Sequence, residues 1–74
     1  EVEVYEMLIP ENWNGRTLGE LLDSLKQCYP VALARAGRAS LPEMSTKLQT
    51  GDLLNVSSTF EGIGALTARL KAEA

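Results

Sequence analysis

Leu48-Gln49-Thr50-Gly51-Asp52-Leu53-Leu54-Asn55-Val56-Ser57 holds a tight turn and the strand that leaves it. Thr50-Gly51-Asp52 is the turn. Glycine reaches a positive φ at no steric cost, and an aspartate side chain can accept from backbone amides nearby. Leu53 to Ser57 follows as a strand. Ser58 and Glu61 then have the S/T-x-x-E spacing of a capping box, which opens a helix running to about Lys71. Phe60, Ile63, Leu66, Thr67 and Leu70 make the expected buried stripe of that helix. Arg69 and Lys71 fall in its last turn, where cations suit the helix dipole.

Upstream, Val2 to Ile9 reads as a strand, with Val2 and Val4 on one face and Tyr5, Met7 and Ile9 on the other. Apolar residues on both faces predict a covered strand. Pro10 ends it, lacking the N–H a ladder needs. Glu11 to Arg16 is a loop with Asn14-Gly15 as its turn signal. Thr17 and Glu20 have capping-box spacing, and Leu18, Leu21, Leu22 and Leu25 continue as a helical stripe. Pro30 requires that this helix be over by Tyr29, and an end near Lys26 is expected. Val31 to Ala36 is the second strand and carries alanines on one face. A turn at Gly37 leads to a third strand around Ser40-Leu41, which Pro42 ends.

The order is β-α-β-β-β-α. It predicts an α+β domain in which two amphipathic helices cover one face of a four-stranded, mainly antiparallel sheet. The other sheet face keeps some apolar side chains, which points to a partner surface.

Seventy-four residues make one domain. A chain of this size buries only about 60% of its unfolded surface, so its own core gives modest stability. Cys28 is the only cysteine, so no disulfide can form within the chain, and with no histidine there is no zinc framework. Oligomerisation is the remaining route to more buried apolar area. The net charge of −3 argues against nucleic acid as a partner. Charge is uneven, however. Glu1, Glu3, Glu6 and Glu11 crowd the start, whereas Arg35, Arg38 and Lys47 stand in the middle against Glu43 alone. No apolar run is long enough to enter a membrane. The opening is acidic rather than a basic leader, and begins without Met. Residues 1–74 therefore read as a single cytosolic domain from a longer chain. The Asn55-Val56-Ser57 sequon lies on a predicted strand and reads as accidental.

Arg35 and Arg38, flanking Gly37, are the leading candidates for function. Two planar donors near one rim suit a phosphate or carboxylate. The competing expectation is two solvated hairpin charges, or a salt bridge to Glu43 or Asp52. Trp13 is either a lid over the core edge or a stacking surface for a base. Gly62-Ile63-Gly64 lies inside a predicted helix, so it fails the context for dinucleotide binding and points to close helix–sheet packing. No histidine can activate Thr17 or Ser58, and no carboxylates pair as an acid/base couple, so no enzyme is predicted and no cofactor is called for. Glu1, Glu3 and Glu6 straddle strand faces and do not converge on a calcium site.

The ordered set of motifs resembles the TrkA C-terminal domain family, the small regulatory domains of potassium channels and cation transporters. The matching pieces are Gly15-Arg16-Thr17-Leu18-Gly19-Glu20-Leu21, Leu33-Ala34-Arg35-Ala36-Gly37, the later Pro42, and Leu48 to Leu54 with its Gly51-Asp52. The resemblance implies a cytoplasmic homodimer that regulates a membrane transporter or channel subunit. It also implies a small effector at the dimer interface, such as cyclic di-AMP, another nucleotide or a divalent cation. The segments meeting there would be Asn12 to Arg16 and Leu33 to Pro42. Asn12, Arg16, Arg35, Arg38 and Pro42 are the ligand-binding residues this implies, for a small anionic effector. The alternative is a purely structural dimerisation module.

Overall fold

The computed structural model describes residues 1–72. Four strands form one antiparallel sheet: β1 (Val2–Leu8), β2 (Cys28–Arg35), β3 (Arg38–Ser40) and β4 (Leu53–Thr59), in spatial order β1-β4-β2-β3. A 3-10 turn over Glu11–Trp13 and helix α1 (Leu18–Leu22) connect β1 to β2, and helix α2 (Phe60–Lys71) follows β4 directly. This is the α+β class and the β-α-β-β-β-α order expected from the sequence. The last strand lies between the first two, pairing Tyr5 with Val56 on one side and Leu33 with Leu54 on the other.

Period-two alternation sorts the sheet into two unlike faces. Leu54 and Val56 of β4 point inward and are fully buried, beside Leu33 of β2 and the half-buried Tyr5 and Met7 of β1. Leu18, Leu21 and Leu22 of α1 and Ile63, Leu66 and Leu70 of α2 close this core, together with Ile9, Trp13 and Leu48. No helix among the described residues covers the opposite face. Val2, Val4, Leu8 and Tyr29 there are each more than 60% exposed. β1 is therefore an edge strand with one bare face, not the covered strand that its apolar residues suggested.

Several elements differ in extent from their sequence patterns. α1 spans five residues rather than reaching Lys26. Its capping box is formed: Glu20 N–H donates to Thr17 Oγ1 at 3.1 Å, and Thr17 N–H donates to Glu20 Oε1 at 2.9 Å. Asp23 ends the helix, and Ser24 and Gln27 adopt left-handed φ of 64° and 69°. Leu25 continues the stripe from a loop. β2 begins at Cys28, so Pro30 lies within the strand. It sits where the register with β4 shifts between Pro30 and Ala32, an irregularity that tolerates a residue with no N–H. β4 runs on to Thr59, and Thr59 rather than Ser58 caps α2, accepting from Gly62 N–H at 3.0 Å. Ser58 is buried on the inner sheet face. Phe60 leaves the helical stripe and is 80% exposed, since the first helical residue lies beyond the sheet edge that Ile63, Leu66 and Leu70 cover.

Gly62 is where α2 meets the sheet most closely. A Cβ there would lie 2.6 Å from Ser58 Oγ, 3.0 Å from Gln27 O and 3.2 Å from Cys28 Sγ. The close packing expected of the Gly62-Ile63-Gly64 segment is thus located at its first glycine, while Gly64 faces open space. Cys28 is buried beside it, donating to Gly62 O at 3.2 Å and lying 3.5 Å from Ser58 Oγ. No helix among the described residues is long and apolar enough to cross a membrane.

Candidate functional site at the arginine rim

Arg35 ends β2 on the same face as Leu33, and the β2–β3 hairpin sets Arg38 directly across from it. The tight hairpin uses Ala36 and Gly37, both at positive φ. The two arginines the sequence singled out are therefore cross-strand neighbours at one rim of the sheet.

Their environments differ. Arg35 Nε donates to Asp52 Oδ1 at 2.9 Å and Nη2 donates to Asp52 Oδ2 at 2.7 Å, a two-pronged pair. Nη2 also donates to Lys47 O at 2.8 Å. Asp52 is 2% exposed and accepts a further bond from Gln49 N–H at 2.8 Å. The Arg35 hydrogen bond, helped by the Gln49 amide, holds the Asp52 carboxyl below the usual carboxylate range against the opposing effect of burial. The Asp52 hydrogen bond in turn raises the Arg35 pKa. Of the alternatives open in the sequence, the salt bridge to Asp52 is the one formed. Gly51 has φ +90, as its turn role requires, and its N–H donates to Ile9 O at 2.9 Å.

Arg38 is exposed, and so is Lys47 on the other flank of Arg35. Among the described residues neither enters an ion pair. Together they are the free positive charge at this rim. Pro42 is half-buried, just after the 86% exposed Leu41.

The first loop is anchored differently. The segments around Arg16 and Leu48 pair as a short ribbon: Leu48 N–H donates to Arg16 O at 2.8 Å, and Gly15 N–H donates to Leu48 O at 2.7 Å. Segment 46–50 is thereby held by the first loop on one side and by Arg35 on the other. Two of the loop's side chains, Asn12 and Trp13, however, turn toward α2. Asn12 Nδ2 donates to Leu70 O at 3.2 Å and Ala72 O at 2.9 Å, satisfying carbonyls at the helix end. Trp13 is buried and its Nε1 donates to Arg69 O at 3.3 Å. Trp13 is thus the lid over the core edge, not a free stacking platform. The Arg16 guanidinium covers the outer side of that ring, 3.7 Å from its centroid, and lies 3.9 Å from Glu20 Oε1. Arg69 completes the tie by donating to Leu21 O at 3.0 Å and to Asp23 O.

The five residues implied by the resemblance therefore form two groups. Arg35 and Arg38 share the hairpin rim, with Pro42 following β3. Asn12 and Arg16 belong to the clamp on α2, and no hydrogen bond or ion pair among the described residues joins the two groups. Lys47 was part of the basic middle in the sequence but gained no role there, because its position beside Arg35 depends on the fold.

Two recesses lie elsewhere. A largely apolar groove of about 420 Å³ runs between the end of β1 and the end of α2, lined by Met7, Leu8, Pro10, Asn12, Thr67, Leu70 and Lys71. A recess of about 450 Å³ is lined by Glu1, Gln27, Thr59, Phe60 and Glu61. Neither includes Arg35 or Arg38. Among the described residues no group of three carboxylate or thiol side chains could hold a metal ion. In comparison with known proteins, no family model matches this chain and no curated protein matches it.

Proposed function

We propose that this chain is a cytosolic regulatory domain of a potassium or cation transport system, working as a dimer and sensing a small anionic effector of the cyclic dinucleotide type. The observation that carries the effector is the exposed Arg38, set across the hairpin from Arg35, whose guanidinium also holds the Lys47 carbonyl. This is unpaired positive charge on a chain of net charge −3, held in place by the neighbouring Arg35–Asp52 pair. Support for the transport context is the motif resemblance together with the fold. Gly51-Asp52 forms the turn, and the Gly15 to Leu21 motif forms the capped start of α1. Arg35 acts as the strut of the rim, and Arg38 is the residue that meets the ligand.

Calorimetric titration of cyclic di-AMP and of ATP tests this. A hydrogen bond to a charged partner contributes about 1.5–3 kcal/mol, so Arg38→Ala should weaken binding at least about tenfold while the fold stays intact. Unchanged affinity would remove Arg38 from the site.

A purely structural dimerisation module is the second reading. It is favoured by the commitment of Arg35 to Asp52, which removes one of the two donors first assigned to the ligand. Failure of the wild type to bind either nucleotide would select it.

A further inference from the structure

The outer edge of β1 is a row of open backbone groups. Ile9 donates its N–H to Asp52 O and accepts from Gly51 N–H, both at 2.9 Å, so its backbone groups turn toward the β4 side. The register from Leu8 opposite Leu53 back to Val2 opposite Thr59 has no shift. Alternation along an antiparallel ladder then turns Glu3, Tyr5 and Met7 toward β4 as well. The N–H and C=O groups of Val2, Val4, Glu6 and Leu8 are left pointing away from the sheet. Among the described residues no other backbone group takes them up. The strand lacks the usual protections of an edge, with no proline, no lysine and no bulge across seven residues. The opposite edge, β3, is only three residues long.

The apolar groove of about 420 Å³ lies along this same edge. Met7 and Leu8 line one side and Thr67, Leu70 and Lys71 of α2 the other, and no residue of β4 lines it.

We infer that β1 receives an extended basic segment of a partner protein as a further antiparallel strand, with an apolar side chain of that segment seated in the groove. The site shares neither Arg35 nor Arg38 with the rim, so it stands whether or not the effector reading does.

The edge itself selects the partner. A row of alternating donors and acceptors is matched by another extended backbone. Glu3 and Glu6 are exposed, and among the described residues neither enters an ion pair. Their spacing puts them on opposite faces of the strand. An antiparallel strand meets Glu6 and then Glu3 with residues three positions apart, where lysine or arginine forms favourable cross-strand pairs. The residue just before the first of these bases falls opposite Met7, on the helix side, at the groove. Lys71 beside the groove disfavours a base at that position, so an apolar side chain fits it. A second copy is the wrong strand. β1 against β1 would gather Glu1, Glu3 and Glu6 of both chains on one ribbon with no base among them.

The test titrates the end-capped peptide Leu-Lys-Val-Thr-Lys-Val into isotope-labelled protein. In the free protein the Val4, Glu6 and Leu8 amides should exchange rapidly with solvent, while those of Tyr5 and Met7 are protected. Saturating peptide should protect Val4, Glu6 and Leu8, and its leucine methyls should give NOEs to Thr67 and Leu70. Exchanging both peptide lysines for glutamate, or its threonine for proline, should weaken binding at least about tenfold. The protein variant carrying Glu3→Lys and Glu6→Lys should lose the lysine peptide and gain the glutamate one, a reversal that misfolding cannot produce. No binding at millimolar peptide, or shifts confined to the hairpin rim, would overturn the inference. Protection of Val4, Glu6 and Leu8 in the free protein that grows with protein concentration would show β1 pairing with its own copy, and would overturn the choice of partner.

Discussion

Arg38 faces Arg35 across the β2–β3 hairpin, yet among the described residues only Arg35 of the two has a carboxylate, the buried Asp52. One member of the pair is therefore a structural strut, and the other is free to meet something outside the chain.

Replacing Asp52 with Ala should destabilise the fold by about 2 kcal/mol, the scale of hydrogen bonds to charged groups, moderated because Arg35 is partly exposed. Urea unfolding at neutral pH measures this. Stability equal to wild type would mean that the pair holds nothing together.

The same pair sets an acid response. The folded Asp52 pKa is depressed, so the unfolded state takes up its proton first as pH falls. Its contribution is complete above the ordinary carboxylate value of about 3.9, declines below it, and is gone once the pH passes beneath the folded value. Wild type should lose stability more steeply than Asp52→Asn below about pH 4. Parallel curves would show that Asp52 is not the group responsible.

Gly51→Val should cost about 1–3 kcal/mol, because valine must adopt φ near +90 at a position where space is not the obstacle. Any nucleotide affinity should persist in protein that still folds. Loss of binding with normal stability would give the Gly51-Asp52 turn a ligand role.

At Gly62 the obstacle is space. Gly62→Ala must push against Ser58 Oγ and the Gln27 carbonyl, and overpacking of this kind costs about 1–3 kcal/mol. Gly64→Ala, with open space around it, should be neutral or stabilising. Thermal melts of the two variants should shift in opposite senses, or only the first should fall. Equal melts would contradict the close approach of α2.

Trp13 is the only tryptophan, so its fluorescence reports the clamp directly. Native emission should be that of a buried indole and resist acrylamide, shifting to the red on unfolding. Asn12→Ala removes the donors to Leu70 O and Ala72 O and should cost about 1 kcal/mol while increasing hydrogen exchange in the last turn of α2. Unchanged exchange there would mean that Asn12 does not hold the helix end.

Local chemistry was the legible part of the sequence. The Thr17–Glu20 box, the Gly51 turn and the alternation of β4 depend on neighbours a few residues away, and each formed. The misplaced boundaries arose where a local pattern ran past a tertiary limit. Leu25 extends the α1 stripe, but the chain must turn at Ser24 to reach β2. Phe60 fits the α2 stripe, but the sheet beneath it has ended. The site was half legible. Charge asymmetry picked out Arg35 and Arg38, whereas the choice between Glu43 and Asp52 needed the fold. So did the diversion of Asn12 to the end of α2 and of Arg16 onto the Trp13 ring.

The position of β4 between β1 and β2 also orders the making of the molecule. Val2 pairs with Thr59, so β1 has no partner until the residues of β4 have followed it. Contacts of such separation are slow to close. A nascent chain halted before Leu53 would hold β1 and β2 with no strand to join them, and the sheet can assemble only once β4 has been made.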